Sequence, residues 1–239
     1  MINDVRNTVL SIISKDNRGF ITPFEFNLFA KQAQLEIFEQ YVYNYSNAIN
    51  KQNARMYGEG YADIPKNIGE VIDTFSVFTS LNYNVGTSKF DFPIDPITLL
   101  ENYYFIDKVI YNNNTQVEKA SHSKILYLVN SNLTAPTTKY PVYTMDNQGL
   151  LVYPTTINSN VTTQYIRYPK DPNWTYSTTP LGDPLFNPGA ATYQDFELPL
   201  TDFANLVIKI LQYSGISIRE QDVVAAAKSE EVQDIQTKQ

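Results

Sequence analysis

The hydrophobic pattern opens with a strong helical signal at residues 21–57. Thr22 stands at the N-cap position, Pro23 follows at the first helical position, and Glu25 completes a capping box. Because neither Gly nor Pro interrupts residues 24–57, the sequence predicts one helix about 50 Å long. Such a helix serves either as a core helix under a sheet or as a strut between layers of a larger assembly. Its apolar residues recur at steps of three and four, at Phe26, Phe29, Ala33, Ile37, Tyr41 and Ala48.

The middle of the chain changes to short extended segments. Residues 103–111 and 161–168 are rich in β-branched and aromatic residues, which favour strands. Residues 142–145 and 150–153 flank an Asp-Asn-Gln-Gly turn and predict a hairpin. The tyrosines at 140, 153 and 168 each precede a proline, which suits strand ends. We also predict an extended segment at 70–80 and a short helix at 118–131.

Trp174 is the only tryptophan of the chain and lies in a stiff Pro-Asn-Trp-Thr segment. We interpret it as a core anchor pressed onto the sheet, and the alternative role is stacking against a ligand. Residues 175–195 contain Pro180, Gly182, Pro184, Pro188 and Gly189, so they predict a turn-rich connection without regular structure.

Helical patterns are present at both ends of the chain. At its beginning, a short helix is predicted at residues 3–14, with Asn3 or Asp4 as its cap. Thr201 or Asp202 caps a helix that ends at Gly215, and a final helix begins near Ile218 and becomes strongly polar. The predicted fold class is therefore α+β, a helical bundle built from both chain ends with a central β-rich insertion. The predicted boundaries are 1–58, 59–195 and 196–239.

Charge is unevenly distributed along the chain. The net charge is −7, and residues 57–107 contain eight acids but only two bases, Lys66 and Lys89. Because the chain lacks clustered Lys and Arg, it is not expected to grip nucleic acid. The acidic set forms a solvated face, and a role in repelling nearby DNA is the sharper hypothesis. Its members are Glu59, Asp63, Glu70, Asp73, Asp91, Asp95, Glu101 and Asp107.

One connection imitates a calcium-binding EF-hand loop. With Gly19 at the sharp turn, Asp16 falls at the third position and Glu25 at the twelfth. However, the first position is Ser14 and the fifth is Arg18, so a cation stands where calcium would be bound. The capping box explains Glu25 better, and no metal is expected.

No catalytic motif is present either. The chain has no cysteine and one histidine, and it lacks a Gly-rich phosphate loop and a Ser flanked by the expected glycines. We therefore expect neither an enzyme nor a cofactor. No basic leader precedes an apolar run and no segment is apolar enough to cross a bilayer, so we expect synthesis in the cytoplasm and no membrane contact.

Three stretches carry a resemblance to a known family. They are ITPFEFNLFAKQAQLEIFEQY, then KYPVYTMDNQGLLVYP with TQYIRYPKDPNWTY, and finally DFELPLTDFANLVIKILQYSGISIREQDVVAAA, together 84 of the 239 residues of the chain. They resemble the adaptor or ring proteins of tailed bacteriophages, which connect the portal to the tail. The nearest likeness is to ring proteins of crAss-like phages.

The resemblance implies a virion structural subunit in a ring of roughly twelve copies. Genomic DNA would pass through this ring without specific binding, and neighbouring ring or tail proteins would be further partners. It also implies that a C-terminal segment reaches onto the portal. That segment is Ser229, Glu230, Glu231, Val232, Gln233, Asp234, Ile235, Gln236, Thr237, Lys238 and Gln239.

Two other functions stay open at this point. One is a tail-ring or tail-hub subunit that does not touch the portal. The other is a carbohydrate-binding β module, suggested by the abundance of Tyr and by Trp174, although the long flanking helices argue against it. The polar C-terminal segment has too few apolar anchors to fold unaided, which favours assembly of the ring on a template.

Overall fold

The computed structural model describes residues 1–15, 20–53, 64–95 and 101–217. The chain divides into two compact units. The helical unit combines Met1–Val71 with Pro169–Gln239, and the sheet unit is Ile72–Tyr168. The fold is α+β, as the sequence predicts, with a large curled mixed sheet.

The helices and strands have the following bounds. The helices are α1 Ile2–Lys15, α2 Pro23–Asn53, α3 Ile64–Asp73, α4 His122–Val129 and α5 Phe203–Ser217, the last entered through a 3₁₀ turn at Leu200–Asp202. The strands are β1 Ser76–Ser80, β2 Tyr83–Asn84, β3 Lys89–Phe90, β4 Tyr103–Tyr111, β5 Thr115–Lys119, β6 Val142–Asp146, β7 Gly149–Tyr153, β8 Val161–Arg167, β9 Tyr176–Thr178 and β10 Pro184–Phe186.

The capping box of α2 is confirmed. Thr22 N donates to Glu25 Oε2 at 2.9 Å, and Glu25 N donates to Thr22 Oγ1 at 3.2 Å. Thr22 N and Thr22 Oγ1 both donate to the Glu25 carboxylate, and these two hydrogen bonds lower its pKa. Asp16 and Gly19 of the EF-hand-like loop, and the predicted end of the helix at Tyr57, lie outside the described residues.

The cap of α1 differs from the prediction. Neither Asn3 nor Asp4 caps the helix, because Asp195 does so from the other end of the sequence. Its Oδ1 accepts from Ile2 N at 2.7 Å, and its Oδ2 accepts from the Met1 amino nitrogen at 3.0 Å. Asn3 instead accepts a hydrogen bond from Trp174 Nε1 at 3.1 Å.

Helix α5 packs against α1 and α2 within the helical unit. Polar contacts fix α2 along this interface: Tyr41 donates to Asp202 at 2.8 Å, and Lys209 forms an ion pair with Glu36 at 3.0 Å. α5 begins at Phe203, after the 3₁₀ turn, and continues past the predicted end at Gly215. The buried apolar residues include Ile2, Val5, Val9, Ile13, Phe26, Ala30, Ala33, Ile37, Phe38, Leu206, Val207 and Ile210.

Of the four helices in the predicted bundle, three are described here. The predicted final helix, from Ile218, lies outside the described residues. The described helices are few, and α1, α2 and α3 all precede the sheet, whereas α5 alone follows it.

Residues 169–195 belong to the helical unit, although the predicted β-rich segment ran from 59 to 195. They contain the hairpin of β9 and β10, a regular element that the turn-rich sequence did not predict. Trp174 is a core anchor, as predicted, and is only 2% exposed. Its ring stacks on Tyr176 and Phe186 of this hairpin.

The sheet unit contains eight strands in the order β1-β8-β4-β5-β6-β7-β3-β2. β1 and β2 are consecutive in the chain yet form opposite ends of this order, so the sheet curls around its core. Leu81 N continues the pairing with Val161 O at 2.9 Å, and Asn82 O accepts from Asp91 N at 2.9 Å. The core residues inside the curl include Phe90, Phe92, Val109, Val117, Leu150, Val152 and Val161.

One strand pair sets the position of α4. β5 and β6 are parallel, whereas every other pair of neighbouring strands among the described residues is antiparallel. A parallel pair needs a crossover connection, and α4 forms part of it. Ile125 of α4 packs with Ala120 and Val142.

The outcomes of the strand predictions follow from these pairings. The strand at 103–111 and the hairpin around residues 146–149 are confirmed. The predicted helix at 118–131 is wrong at its start, because residues 118 and 119 pair with β6. The predicted extended segment at 70–80 is helical up to Asp73, and only Ser76–Ser80 is a strand.

Candidate interaction surfaces

No catalytic or metal-binding constellation is found in the described part of the chain. No group of three or more His, Cys, Asp or Glu side chains there could hold a metal ion. The single histidine, His122, starts α4 behind the N-cap residue Ser121. No helix among the described residues is long and apolar enough to cross a membrane.

The acidic residues named from the sequence occupy several elements. Glu70 and Asp73 are exposed on α3, Asp91 follows β3, and Glu101 and Asp107 are exposed around β4, whereas Asp95 is half-buried. Glu59 and Asp63 lie outside the described residues. Because Glu70 belongs to the helical unit and the other five to the sheet unit, their common face stays a prediction.

Two electrostatic interactions of Asp107 are described. Asp107 lies 3.8 Å from Lys108 Nζ, both of them exposed. Burial raises the pKa of the Tyr143 hydroxyl, and the charge of Asp107 raises it further.

The segment predicted to contact a portal, from Ser229 to Gln239, lies entirely outside the described residues.

The first apolar surface is formed by α4 and the loop that follows it. While Ile125 faces the sheet, Leu126, Tyr127 and Val129 face outward, and Tyr127 is 80% exposed. Leu133 in the loop is 93% exposed. We call Leu126, Tyr127, Val129 and Leu133 the α4 surface. Contiguous exposed apolar patches are typical of protein–protein contact sites, so the α4 surface is a candidate for such a site.

The second apolar surface lies on the first turns of α2. Phe24 is 71% exposed, and Leu28 is exposed one turn further on the same helix face. Phe20, just before the helix, is exposed as well. We call Phe20, Phe24 and Leu28 the α2 stripe. Further along α2, no side chain from Glu39 to Asn50 is fully buried.

The third surface is the hairpin of β9 and β10, which we call the β9–β10 arm. Its inner side is fixed by the stacking of Phe186 and Tyr176 on Trp174, at centroid distances of 5.8 and 5.6 Å. Its outer side exposes Leu185, and Leu181 at the tip is 90% exposed. A hairpin with exposed apolar residues and unpaired outer edges favours contact with another chain.

Sequence reasoning missed all three surfaces, although signals for two were present. The run Ile-Leu-Tyr-Leu-Val in α4 is apolar around the whole helix, so one side must face something other than its own sheet. The apolar Leu181 in a Pro- and Gly-rich turn was a weaker signal.

No family model matches the chain, and no curated protein matches it.

Proposed function

We propose that this chain is a virion structural protein, an adaptor or ring subunit that connects the portal to the tail around the DNA channel. The observation that carries the proposal is the exposure of large apolar side chains on three separate elements. A subunit of a multi-protein assembly needs several such contact faces, whereas an enzyme needs one concave site. The resemblance of residues 21–41, 139–176 and 195–227 to ring proteins supplies the particular assembly.

Three details of the architecture support this proposal. The packing of α5 on α1 and α2 supports a helical bundle drawn from both chain ends, which the predicted helix after Ile218 would complete. The sheet unit is inserted between the two helical parts. A long helix that is poorly buried beyond Phe38 supports a strut role for α2.

The acidic residues support a channel role. Five of the six that are described are exposed, namely Glu70, Asp73, Asp91, Glu101 and Asp107. Carboxylates on a channel wall would repel DNA, so that it slides without being held. A ring structure with these residues on its outer surface would contradict this part of the proposal.

Sedimentation of the purified chain, alone and mixed with the portal ring of the same phage, tests the function. We expect a monomer that joins the portal in fixed stoichiometry. Removal of residues 229–239 is the matched variant, and we expect it to abolish portal attachment while the far-UV circular dichroism is unchanged. No association with portal, but association with tail proteins, would favour the tail-ring or tail-hub alternative.

The burial of Trp174 weakens the carbohydrate-binding alternative. Its ring is covered by Tyr176, Phe186 and the Arg6 guanidinium, so no open face is left for a sugar. We propose synthesis in the host cytoplasm, location in the virion, and no membrane partner.

A further inference from the structure

Arg6 is the most unusual charged residue of the described chain. It lies on α1 and is only 6% exposed. Its guanidinium carbon lies 3.8 Å from the centroid of the Trp174 ring, within the range of a cation–π contact. Its Nε is the one buried side-chain nitrogen or oxygen among the described residues that has no hydrogen-bond partner.

The platform under Arg6 is held rigidly. Trp174 Nε1 donates to Asn3 of α1 at 3.1 Å, and Trp174 N donates to Asn27 of α2 at 2.9 Å. Tyr176 and Phe186 stack on the indole with interplanar angles of 21° and 16°. The guanidinium is therefore positioned in advance, which reduces the entropy lost when a ligand binds.

Arg6 lacks the counter-charge that the other buried cations have. Lys209, also 6% exposed at its side chain, pairs with Glu36 at 3.0 Å, and Lys89 pairs with Asp146 at 2.6 Å. No carboxylate of the described residues forms an ion pair with Arg6. Burial accordingly lowers the pKa of Arg6. A buried charge without a partner is costly, so an anion that reached this guanidinium would remove part of that cost.

We propose that Arg6, stacked on Trp174, is a binding site for one carboxylate group. The indole lies against the guanidinium, so the N–H edge is the part that can hydrogen-bond an anion. A planar carboxylate matches this edge with two parallel hydrogen bonds. The source is either a small carboxylate in solution or an acidic side chain of a second copy, since the chain contains 25 Asp and Glu against 18 Lys and Arg.

Trp174 is the only tryptophan, so its fluorescence reports on this site alone. Sodium acetate is titrated into the full chain, with sodium chloride at matched ionic strength and sodium phosphate as comparisons. We expect a saturable change in emission with acetate, with a midpoint of roughly 10–100 mM. A response to acetate no larger than that to chloride over this range would overturn the proposal and leave Arg6 as a structural cation–π partner.

Two variants separate binding from structure. Arg6→Lys keeps the charge but loses the planar fork, and we expect about tenfold weaker acetate binding. Arg6→Met removes the charge, and we expect no specific response. Arg167→Lys is the matched control, because Arg167 lies 5.7 Å over the Phe75 ring and donates to the Tyr168 carbonyl. Its acetate response should equal that of the wild type. If Arg6→Met does not fold, the wild-type titration and Arg6→Lys still decide the question.

A dilution series without acetate distinguishes the two sources. If a second copy supplies the carboxylate, the emission changes with protein concentration, acetate suppresses the change, and Arg6→Met lacks it. Emission that is independent of concentration overturns this source and assigns the site to small carboxylates. Neither result depends on the proposed role in a virion.

Discussion

At the scale of single residues, Gly149 is the position with the least freedom to change. It begins β7, its φ is +142°, and a Cβ there would overlap the carbonyl oxygen of Phe90 in β3. Because backbone cannot move aside as a flexible side chain does, we expect Gly149→Ala to lower the free energy of unfolding by about 2–4 kcal/mol. Urea denaturation followed by circular dichroism measures this loss.

Gly182 provides the control for this substitution. Its φ is +92°, but a Cβ there would meet no atom within 4 Å. Gly182→Ala therefore adds only the backbone penalty of an L-residue in this region, about 1 kcal/mol. Equal losses for the two variants would show that the contact with Phe90 is unimportant.

Asp195 caps α1 and so links a late part of the chain to its beginning. Burial raises the pKa of its carboxyl group, but hydrogen bonds from the Met1 amino group, Ile2 N and Phe196 N outweigh that effect and lower the pKa below its ordinary value. Asp195→Asn loses the charge that these donors favour. We expect its free energy of unfolding to fall by about 1 kcal/mol at neutral pH.

The pH dependence of this difference follows from the direction of the shift. Since the folded pKa is lower than the unfolded one, the stabilisation is complete above the unfolded pKa of about 4 and is lost as pH falls through the folded pKa. Asp171→Asn is the control, because its 2.6 Å pair with Lys31 is exposed on both sides and is worth at most about 1 kcal/mol. A wild-type advantage over Asp195→Asn that does not decrease as the pH falls below about 4 would contradict the capping argument.

At the scale of elements, neighbouring residues of α4 should behave in opposite ways. Ile125 is 1% exposed and packs with Ala120 and Val142. Ile125→Ala should cost about 2–4 kcal/mol of unfolding free energy, because it leaves a cavity under the helix. Leu126→Gln should change it by less than about 0.5 kcal/mol, because Leu126 lies in solvent.

The same pair tests the role of the α4 surface. Leu126→Gln together with Tyr127→Gln should weaken association with assembly partners in sedimentation, although the chain stays folded. Ile125→Ala should retain association at temperatures where it is folded. Unchanged association of the Leu126 and Tyr127 variant would exclude the α4 surface as a contact face.

The elements that the sequence predicted are those with local signals. Alternation over Tyr103–Tyr111 and the turn residues before Gly149 act within a few positions, and both predictions are confirmed. Thr22 and Glu25 likewise define the start of α2 locally. Local chemistry therefore predicted the class of the fold and its clearest elements.

The missed features depend on distant partners. β5 is polar and is a strand because it pairs with β4 on one side and, through Lys119 and Tyr143, with β6 on the other, and Asp195 caps a helix 193 residues away. The exposed surfaces were missed because an apolar residue looks the same in sequence whether its partner is its own core or another chain. Arg6 was missed for the same reason, since its importance depends on burial against Trp174.

At the scale of the whole molecule, the sheet unit should fold alone. Its first and last strands, β1 and β8, are paired with Ser76 opposite Ile166, and Arg167 N donates to Phe75 O at 3.0 Å. The fragment 72–168 therefore begins and ends at adjacent points and contains its own core. We expect a cooperative thermal transition and native near-ultraviolet circular dichroism from the isolated fragment.

Two further fragments decide what this result means. Residues 82–168 lack β1 and leave an edge of β8 unpaired, so we expect this fragment to aggregate. Residues 59–195 follow the boundaries drawn from the sequence. If only this longer fragment folds, those boundaries are right and the sheet unit depends on the segment that contains Trp174. If 72–168 folds, it carries the α4 surface into solution by itself, and partner binding to that surface can be measured without the helical unit.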